Sequence, residues 1–462
     1  MRIIWYELDN DDKEQELFVR INTNKIPLTN AELIKALFLH AKNFEKSDAK
    51  KRQIEMAKEF DEMSYALEEE NFYYFLSSNK KRITKIELLF EIFAYTQDKQ
   101  LDLNDKYALY RYLAELKEQN PKDFLNLWSN QVNNTQESPK EQNKDKKNTN
   151  IKKIFLTLKS WYEYKELYHL IGFLVAIDNN QDKALKELYK KSLGITKTEF
   201  KKELYKRIKI ELGFLNEKEK LDIQDSTSLK NQLNELRYNE NKSQIEKILL
   251  FFNIATIVNN QQDNYYFDFK RYKALEWSIE HIYPQKNDGI THLALKEWLK
   301  DFIEYSEKLK IFEENDENFL KALKLLKELE EKGVYNKEKA KNLSDDDIKA
   351  IKDLLEDMRQ IKKLAYDKEE FKEDNLHTLG NLTLLGKGDN SAFSNYVFMI
   401  KREMLKEKEN HFIPLCSKNV FMKHYSKNLS NFWGNDDVES YFEAINKIIS
   451  KALNLKEEEN AK

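Results

Sequence analysis

Residues 277–285 read W-S-I-E-H-I-Y-P-Q, and this stretch decides the interpretation of the chain. Its alternating apolar residues predict a short strand that Pro284 ends, because proline cannot extend a strand ladder. Glu280 and His281 then lie near the end of that strand. Neighbouring residues of a regular strand face opposite ways, so both side chains can reach one point only where the strand ends or twists.

A second stretch follows at His377–Asn395, which reads H-T-L-G-N-L-T-L-L-G-K-G-D-N-S-A-F-S-N. Leu379–Leu385 predicts another apolar strand, and the Gly, Asp and Asn residues after it predict a turn. An amphipathic helix is expected next, with one apolar face formed by Phe393, Val397, Ile400 and Met404. The order is therefore strand, strand, helix.

Four ordered motifs resemble the HNH (ββα-metal) endonuclease of GmrSD-type restriction proteins. The family shows E-H-I-x-P-Q, then G-N-L-T-L-L, then N-x-x-x-S-N, then a Lys-Arg pair. The matching segments here are Glu280–Gln285, Gly380–Leu385, Asn390–Asn395 and Lys401–Arg402. The nine-residue gap from Asn381 to Asn390 also matches. The resemblance implies a mainly α protein with a small ββα-metal nuclease domain towards the C-terminus.

The resemblance also implies a catalytic pair. His281 is the expected general base, since an imidazole that titrates near pH ~6.5 can take a proton from water at neutral pH. Asn381 corresponds to the middle residue of the motif, which braces the loop that carries the base. Glu280 and Asn390 are the expected metal ligands. Oxygen ligands without cysteine or a second obvious histidine favour Mg²⁺ or Mn²⁺ over Zn²⁺.

The same resemblance implies a DNA substrate, modified or not, contacted by Lys401, Arg402 and Asn395. The role of His377 stays open between ligand and structural residue. The remaining histidines have no motif around them and are predicted to be structural: His40, His169, His292, His411 and His424. Taken singly, each site residue is an ordinary packed or turn-forming residue; the order and spacing favour the nuclease.

The start of the chain predicts a helix from Asn30, because Thr29 and Glu32 form a capping-box pattern. The residues around it, F-x-R-x-N followed by P-L-T-x-x-E-L, resemble the closing part of the ParB-like domain of GmrSD-type proteins. The Asp-Gly-Gln-Gln-Arg motif that contributes to nucleotide handling there is not found in this sequence. We therefore expect a companion chain that carries this half and docks near residues 3–8.

Four regions are predicted along the 462 residues. Scarce Gly and Pro favour helix throughout. The regions are a ParB-like remnant at 1–28, a helical domain at 29–264 with a flexible loop at 129–152, an HNH domain at 265–435 with a helical insertion at 292–372, and a C-terminal helix and tail at 436–462.

Composition narrows the classes of function. The formal net charge is −3, so DNA binding would need a local basic patch. The single cysteine, Cys416, excludes a disulfide within the chain and suits a cytoplasmic protein. The longest apolar runs, Leu167–Ile177 and Ile248–Val258, predict buried helices and no membrane span.

Two functions compete: a metal-dependent endonuclease of a restriction or phage-defence system, and a non-catalytic or degenerate helical subunit that binds DNA or a partner.

Overall fold

The computed structural model is mainly helical, as predicted. It describes residues 28–45, 47–80, 82–102, 105–129, 149–216, 218, 221–260, 265–284, 304, 320, 323, 324, 327, 371–393, 396, 398–407, 412–427 and 432–456. Residues 1–27 of the ParB-like remnant, most of the 129–152 loop and nearly all of the 292–372 insertion lie outside these residues.

Contacts divide the chain into two compact units, residues 1–163 with 182–196, and residues 164–181 with 197–462. The helices of the first unit are α1 (Asn30–Leu39), α2 (Ala49–Glu68), α3 (Glu70–Leu76), α4 (Glu87–Thr96), α5 (Ala108–Gln119), α6 (Ile151–Glu163) and α8 (Gln181–Ser192, whose first residue belongs to the other unit).

The capping box predicted at the start of α1 is confirmed. Thr29 N–H donates to Glu32 Oε2 at 2.8 Å, and Glu32 N–H donates to Thr29 Oγ1 at 3.2 Å. Aromatic side chains fill the core of this unit, with Phe38 stacked on Phe124 and Phe60 stacked on Trp128. These four aromatic side chains are buried and supply packing in the interior of the unit.

The second unit contains the remaining helices of the described chain. They are α7 (Lys165–Ala176), α9 (Lys197–Glu211), α10 (Ser226–Glu235), α11 (Tyr238–Asn259), α12 (Phe269–Leu275), α13 (Lys387–Phe393), α14 (Phe398–Glu407), α15 (Leu415–Phe421) and α16 (Asn435–Ala452). Helix α11 packs against α7, α15 and α16. Its segment 248–255 is buried on every side, which confirms the predicted core helix.

Two short sheets complete the described secondary structure. Strands β1 (Leu215–Asn216) and β2 (Leu221–Asp222) form one hairpin. Strands β3 (Trp277–His281) and β4 (Leu382–Gly386) pair antiparallel, with Trp277 opposite Gly386 and His281 opposite Leu382. Helix α13 packs on both β3 and β4. The second sheet joins segments from distant parts of the sequence.

Local structure around β4 differs from the prediction in three places. The strand begins at Leu382 and not at Leu379, because Leu379–Asn381 form a 3₁₀ turn in which Asn381 N–H donates to Thr378 O at 3.0 Å. The segment expected to be a turn is helix α13, since packing on the strands outweighs the poor helix propensity of its glycine and asparagine. The predicted amphipathic helix is split into α13 and α14, and Val397 is not among the described residues.

Candidate active site

Glu280 and His281 are the last two residues of β3, and their side chains have different partners. Glu280 contacts Lys401 of α14, whereas His281 contacts His377 and the ring of Tyr238. Both are nearly buried. This divergence follows from the alternation of side chains along a strand.

Glu280 forms a buried ion pair with Lys401. The Lys401 ammonium contacts Glu280 Oε1 and also donates to the carbonyl oxygen of His281 at 2.7 Å. The Lys401 side chain is 0% exposed and that of Glu280 is 8% exposed. Burial raises the pKa of the Glu280 carboxyl, while the ammonium beside it favours the charged form. The pair fixes both the side chain of Glu280 and the backbone at the end of β3.

His281 faces a second imidazole. Its Nε2 lies 3.4 Å from Nδ1 of His377, with the two rings nearly perpendicular. The rings of Tyr238 and His281 pack edge to face, with 4.7 Å between their centroids. Burial, reinforced by His377 and Lys401, lowers the pKa of His281 to about 3. His281 is therefore neutral at neutral pH, which is the form that can accept a proton.

Asn381 joins the two segments that carry these imidazoles. Its side-chain nitrogen donates to Tyr283 O at 3.0 Å and to Leu376 O at 2.9 Å, and its side-chain oxygen accepts from Tyr283 N–H at 2.8 Å. Its backbone oxygen accepts from Ile282 N–H at 2.9 Å. Asn381 is fully buried, so each bond is shielded from water.

The turn that holds Asn381 fits closely against helix α16. A Cβ placed on Gly380 would lie 2.3 Å from the carbonyl oxygen of Val438, a backbone atom of that helix. Any residue other than glycine would therefore push the turn or the helix away. The position of Asn381 thus depends on a glycine that precedes it.

Asn390 lies on α13 and reaches the same strand nearer its middle. Its side-chain nitrogen donates to Ser278 Oγ at 2.7 Å and to Ile279 O at 3.0 Å. Ser278 and Glu280 are two positions apart and share a strand face, so Asn390 and Lys401 approach that face from α13 and α14. Asn390 is thereby placed to fix helix α13 on strand β3.

The structure brings only some of the predicted site residues into one group. The hydrogen-bonded group at the end of β3 contains Glu280, His281, Asn381 and Lys401, and Asn390 binds the preceding part of the strand. Lys401 points inward and is fully buried, although it was predicted to contact DNA. Arg402 is half-buried on α14, and Asn395 lies outside the described residues.

Two neighbours of His281 complete this site. His377 lies three residues before the Gly380–Leu385 motif, so its sequence position was a signal, but its role was left open. Tyr238 begins helix α11, and its N–H donates to His377 O at 2.9 Å. Nothing in the sequence around Tyr238 distinguishes it, because its closeness to His281 arises only from the packing of α11 against the β4 region.

The arrangement does not fit a divalent ion on Glu280 and Asn390. Lys401 already neutralises the Glu280 carboxylate, and the side-chain nitrogen of Asn390 is turned towards β3. Across the described ranges, no group of three or more His, Cys, Asp and Glu side chains could hold a metal ion.

Residues 312–448 match the family model of GmrSD restriction endonucleases, C-terminal domain. This part of the chain is similar to the C-terminal domain of GmrSD restriction endonucleases. It includes His377, Asn381, Asn390 and Lys401, and it begins after β3. No curated protein and no solved structure matches the chain. None of the helices in the described part is long and apolar enough for a bilayer span.

Proposed function

We propose that the protein is a DNA endonuclease of the restriction type and that His281 is its general base. The observation that carries this proposal is a neutral, buried imidazole held at the end of β3, beside a domain of the GmrSD restriction family. In the reaction, His281 accepts a proton from water and the water oxygen bonds to phosphorus. The bond from phosphorus to the leaving sugar oxygen breaks, and solvent protonates that oxygen.

The low pKa of His281 makes it a weak base in the free protein. A bound phosphodiester would raise the pKa of His281, because a nearby negative charge favours the imidazolium. Substrate binding would thus bring the basicity of His281 closer to the value that proton abstraction requires.

We further propose that β3, β4 and α13 are the ββα unit of an HNH-type site, within an HNH domain at 265–435. The support is their order and the packing of α13 on both strands. Arg402 and Asn395 remain proposed DNA contacts, and a companion chain with the nucleotide-handling half remains a proposed partner.

Binding of Mg²⁺ or Mn²⁺ by Glu280 and Asn390 remains a proposal that requires the Lys401 ammonium to leave the carboxylate. We assign no step of the reaction to an ion. Calorimetric titration with Mn²⁺ tests this directly. Binding that Asn390→Ala abolishes supports the ligand set, and binding that Asn390→Ala leaves unchanged contradicts it.

A second candidate is a non-catalytic subunit that binds DNA or a partner. It is favoured by the Lys401–Glu280 pair, which occupies the carboxylate that an ion would use. Incubation with supercoiled plasmid, with Mg²⁺, with Mn²⁺ and with a chelator, separates the two. Nicked or linear product supports the endonuclease, whereas retarded but uncut plasmid under every condition supports the binding subunit.

A further inference from the structure

The two imidazoles at the end of β3 meet nitrogen to nitrogen. His281 Nε2 and His377 Nδ1 lie 3.4 Å apart, although the residues are 96 positions apart in the sequence. A contact between two ring nitrogens needs one hydrogen between them, since two lone pairs repel and two N–H groups clash. One ring must donate and the other must accept.

Hydrogen bonds hold the backbone segments that carry both imidazoles. Asn381 donates to Leu376 O, directly before His377, and it exchanges hydrogen bonds with Tyr283, two residues after His281. The backbone oxygen of His377 also accepts from Tyr238 N–H. The ring of His377 lies nearly parallel to that of Tyr238, at 6.2 Å between centroids. The facing nitrogens are therefore set by the fold and not by a flexible side chain alone.

We propose that His377 is the positioning residue of His281. In this arrangement His281 Nε2–H donates to His377 Nδ1, which fixes the tautomer and the ring orientation of the base. The lone pair of His281 is then on Nδ1, and Nδ1 is the nitrogen that takes the proton from water. Asn381 acts on both segments at once, so it sets the separation of the two rings.

This inference rests on the proposed function, because the direction of the hydrogen bond follows from it. If His377 donated instead, the lone pair of His281 Nε2 would be engaged and Nδ1 would carry a hydrogen. Neutral His281 would then have no lone pair left for water. If His281 is the base, it must therefore donate this hydrogen bond, and His377 must accept it.

The test is the tautomer of His281 in the full chain, read from the two ring ¹⁵N resonances of selectively histidine-labelled protein. Resonances are assigned by their loss in His281→Ala. We expect hydrogen on Nε2 and a lone pair on Nδ1 in the wild type. His377→Phe keeps an aromatic ring beside Tyr238 but removes the acceptor, so it should give a mixture of tautomers. Hydrogen on Nδ1 in the wild type, or an unchanged tautomer in His377→Phe, would overturn the inference.

Kinetics with the same variants separate positioning from simple packing. His377→Phe should lower kcat on the order of 10- to 100-fold with little change in KM, the usual effect of removing the partner that orients a histidine. His377→Asn puts an amide oxygen near the position of Nδ1 and should restore much of kcat. Equal losses in both variants, with unfolding midpoints like that of the wild type, would contradict an acceptor role.

Failure of the proposed function looks different. If His281→Ala cleaves plasmid as fast as the wild type, His281 is not the base, whatever its tautomer. If His281→Ala is inactive but the wild-type tautomer is the reverse of that expected, the base assignment stands and the positioning inference falls.

Discussion

At the scale of single residues, the site is organised by one lysine that enters the protein interior. Lys401 neutralises Glu280 and holds the backbone oxygen of His281, so it links the two residues whose side chains diverge. A buried pair of this kind is costly to break, because the remaining charge has no counter-ion and little water. The same residue on an exposed surface would contribute little.

The first prediction concerns that pair. Lys401→Met should lower the free energy of unfolding by about 3–5 kcal/mol, because the Glu280 carboxyl is left buried without a counter-ion. The double variant Glu280→Leu with Lys401→Met should recover most of this loss, since an apolar pair needs no counter-ion. Urea unfolding of the wild type, both single variants and the double variant measures the coupling.

The matched control is the pair Lys387–Glu276, whose side chains are 72% and 71% exposed. Lys387→Met should leave stability nearly unchanged, as expected for a surface ion pair. Strictly additive effects at positions 280 and 401 would show that the two side chains do not depend on each other.

The second prediction concerns His169, which lies inside helix α7. Its Nδ1 lies 2.6 Å from Lys165 O, and its Nε2 accepts from Phe267 N–H at 3.0 Å. Burial lowers the pKa of His169 to about 4. Below pH ~6.5 the unfolded chain binds a proton that the folded protein does not bind, so stability falls as the pH falls. The contribution of His169 should decrease by about 2 kcal/mol between pH 7 and pH 5.

Unfolding free energies between pH 5 and pH 7 test this prediction. His169→Gln should show a shallower decrease than the wild type. Parallel pH profiles for the two proteins would mean that His169 titrates normally in the folded state.

At the scale of elements, the turn before β4 and helix α16 determine where Asn381 lies. The third prediction is that Gly380→Ala lowers the free energy of unfolding by about 1–3 kcal/mol, because the new methyl group meets the backbone oxygen of Val438. Cleavage should fall with it as Asn381 shifts.

Gly388, in helix α13, has no atom within 4 Å of an added Cβ. Gly388→Ala should therefore stabilise α13 by up to about 1 kcal/mol. Equal effects at the two glycines would contradict the close approach.

Elements with local signals could be predicted from the sequence. The Thr29–Glu32 box predicted the start of α1, and the structure has both of its hydrogen bonds. The apolar strands β3 and β4 were also predictable. The ends of β4 and the split between α13 and α14 were not, because packing between distant segments decided them.

The sequence predicted which residues form the candidate site better than it predicted their contacts. Motif order singled out His281, Asn381 and Asn390. A lysine on an amphipathic helix is normally solvated, so nothing in the sequence indicated that Lys401 turns towards Glu280. The part played by Tyr238 could not be inferred either, since it depends on the packing of another helix against the turn that follows His377.

At the scale of the whole molecule, the formal net charge of −3 provides no general attraction for DNA. The fourth prediction is that DNA binding depends on a few local cations. Replacing Arg402 with glutamine should reduce the slope of log affinity against log salt by about one for each phosphate that the protein no longer neutralises. Fluorescence anisotropy over a salt series measures this slope. A slope near zero in the wild type would favour a protein partner over DNA.

We propose that His281 activates water for phosphodiester cleavage. The measurement is single-turnover cleavage of supercoiled plasmid by the wild type, by His281→Ala and by His424→Ala, a matched change at an exposed histidine outside the site. We predict that His281→Ala cleaves about 10²- to 10⁴-fold more slowly with unchanged circular dichroism, the usual contribution of a positioned general base. His424→Ala should match the wild type. Undiminished cleavage by the His281 variant would contradict the account.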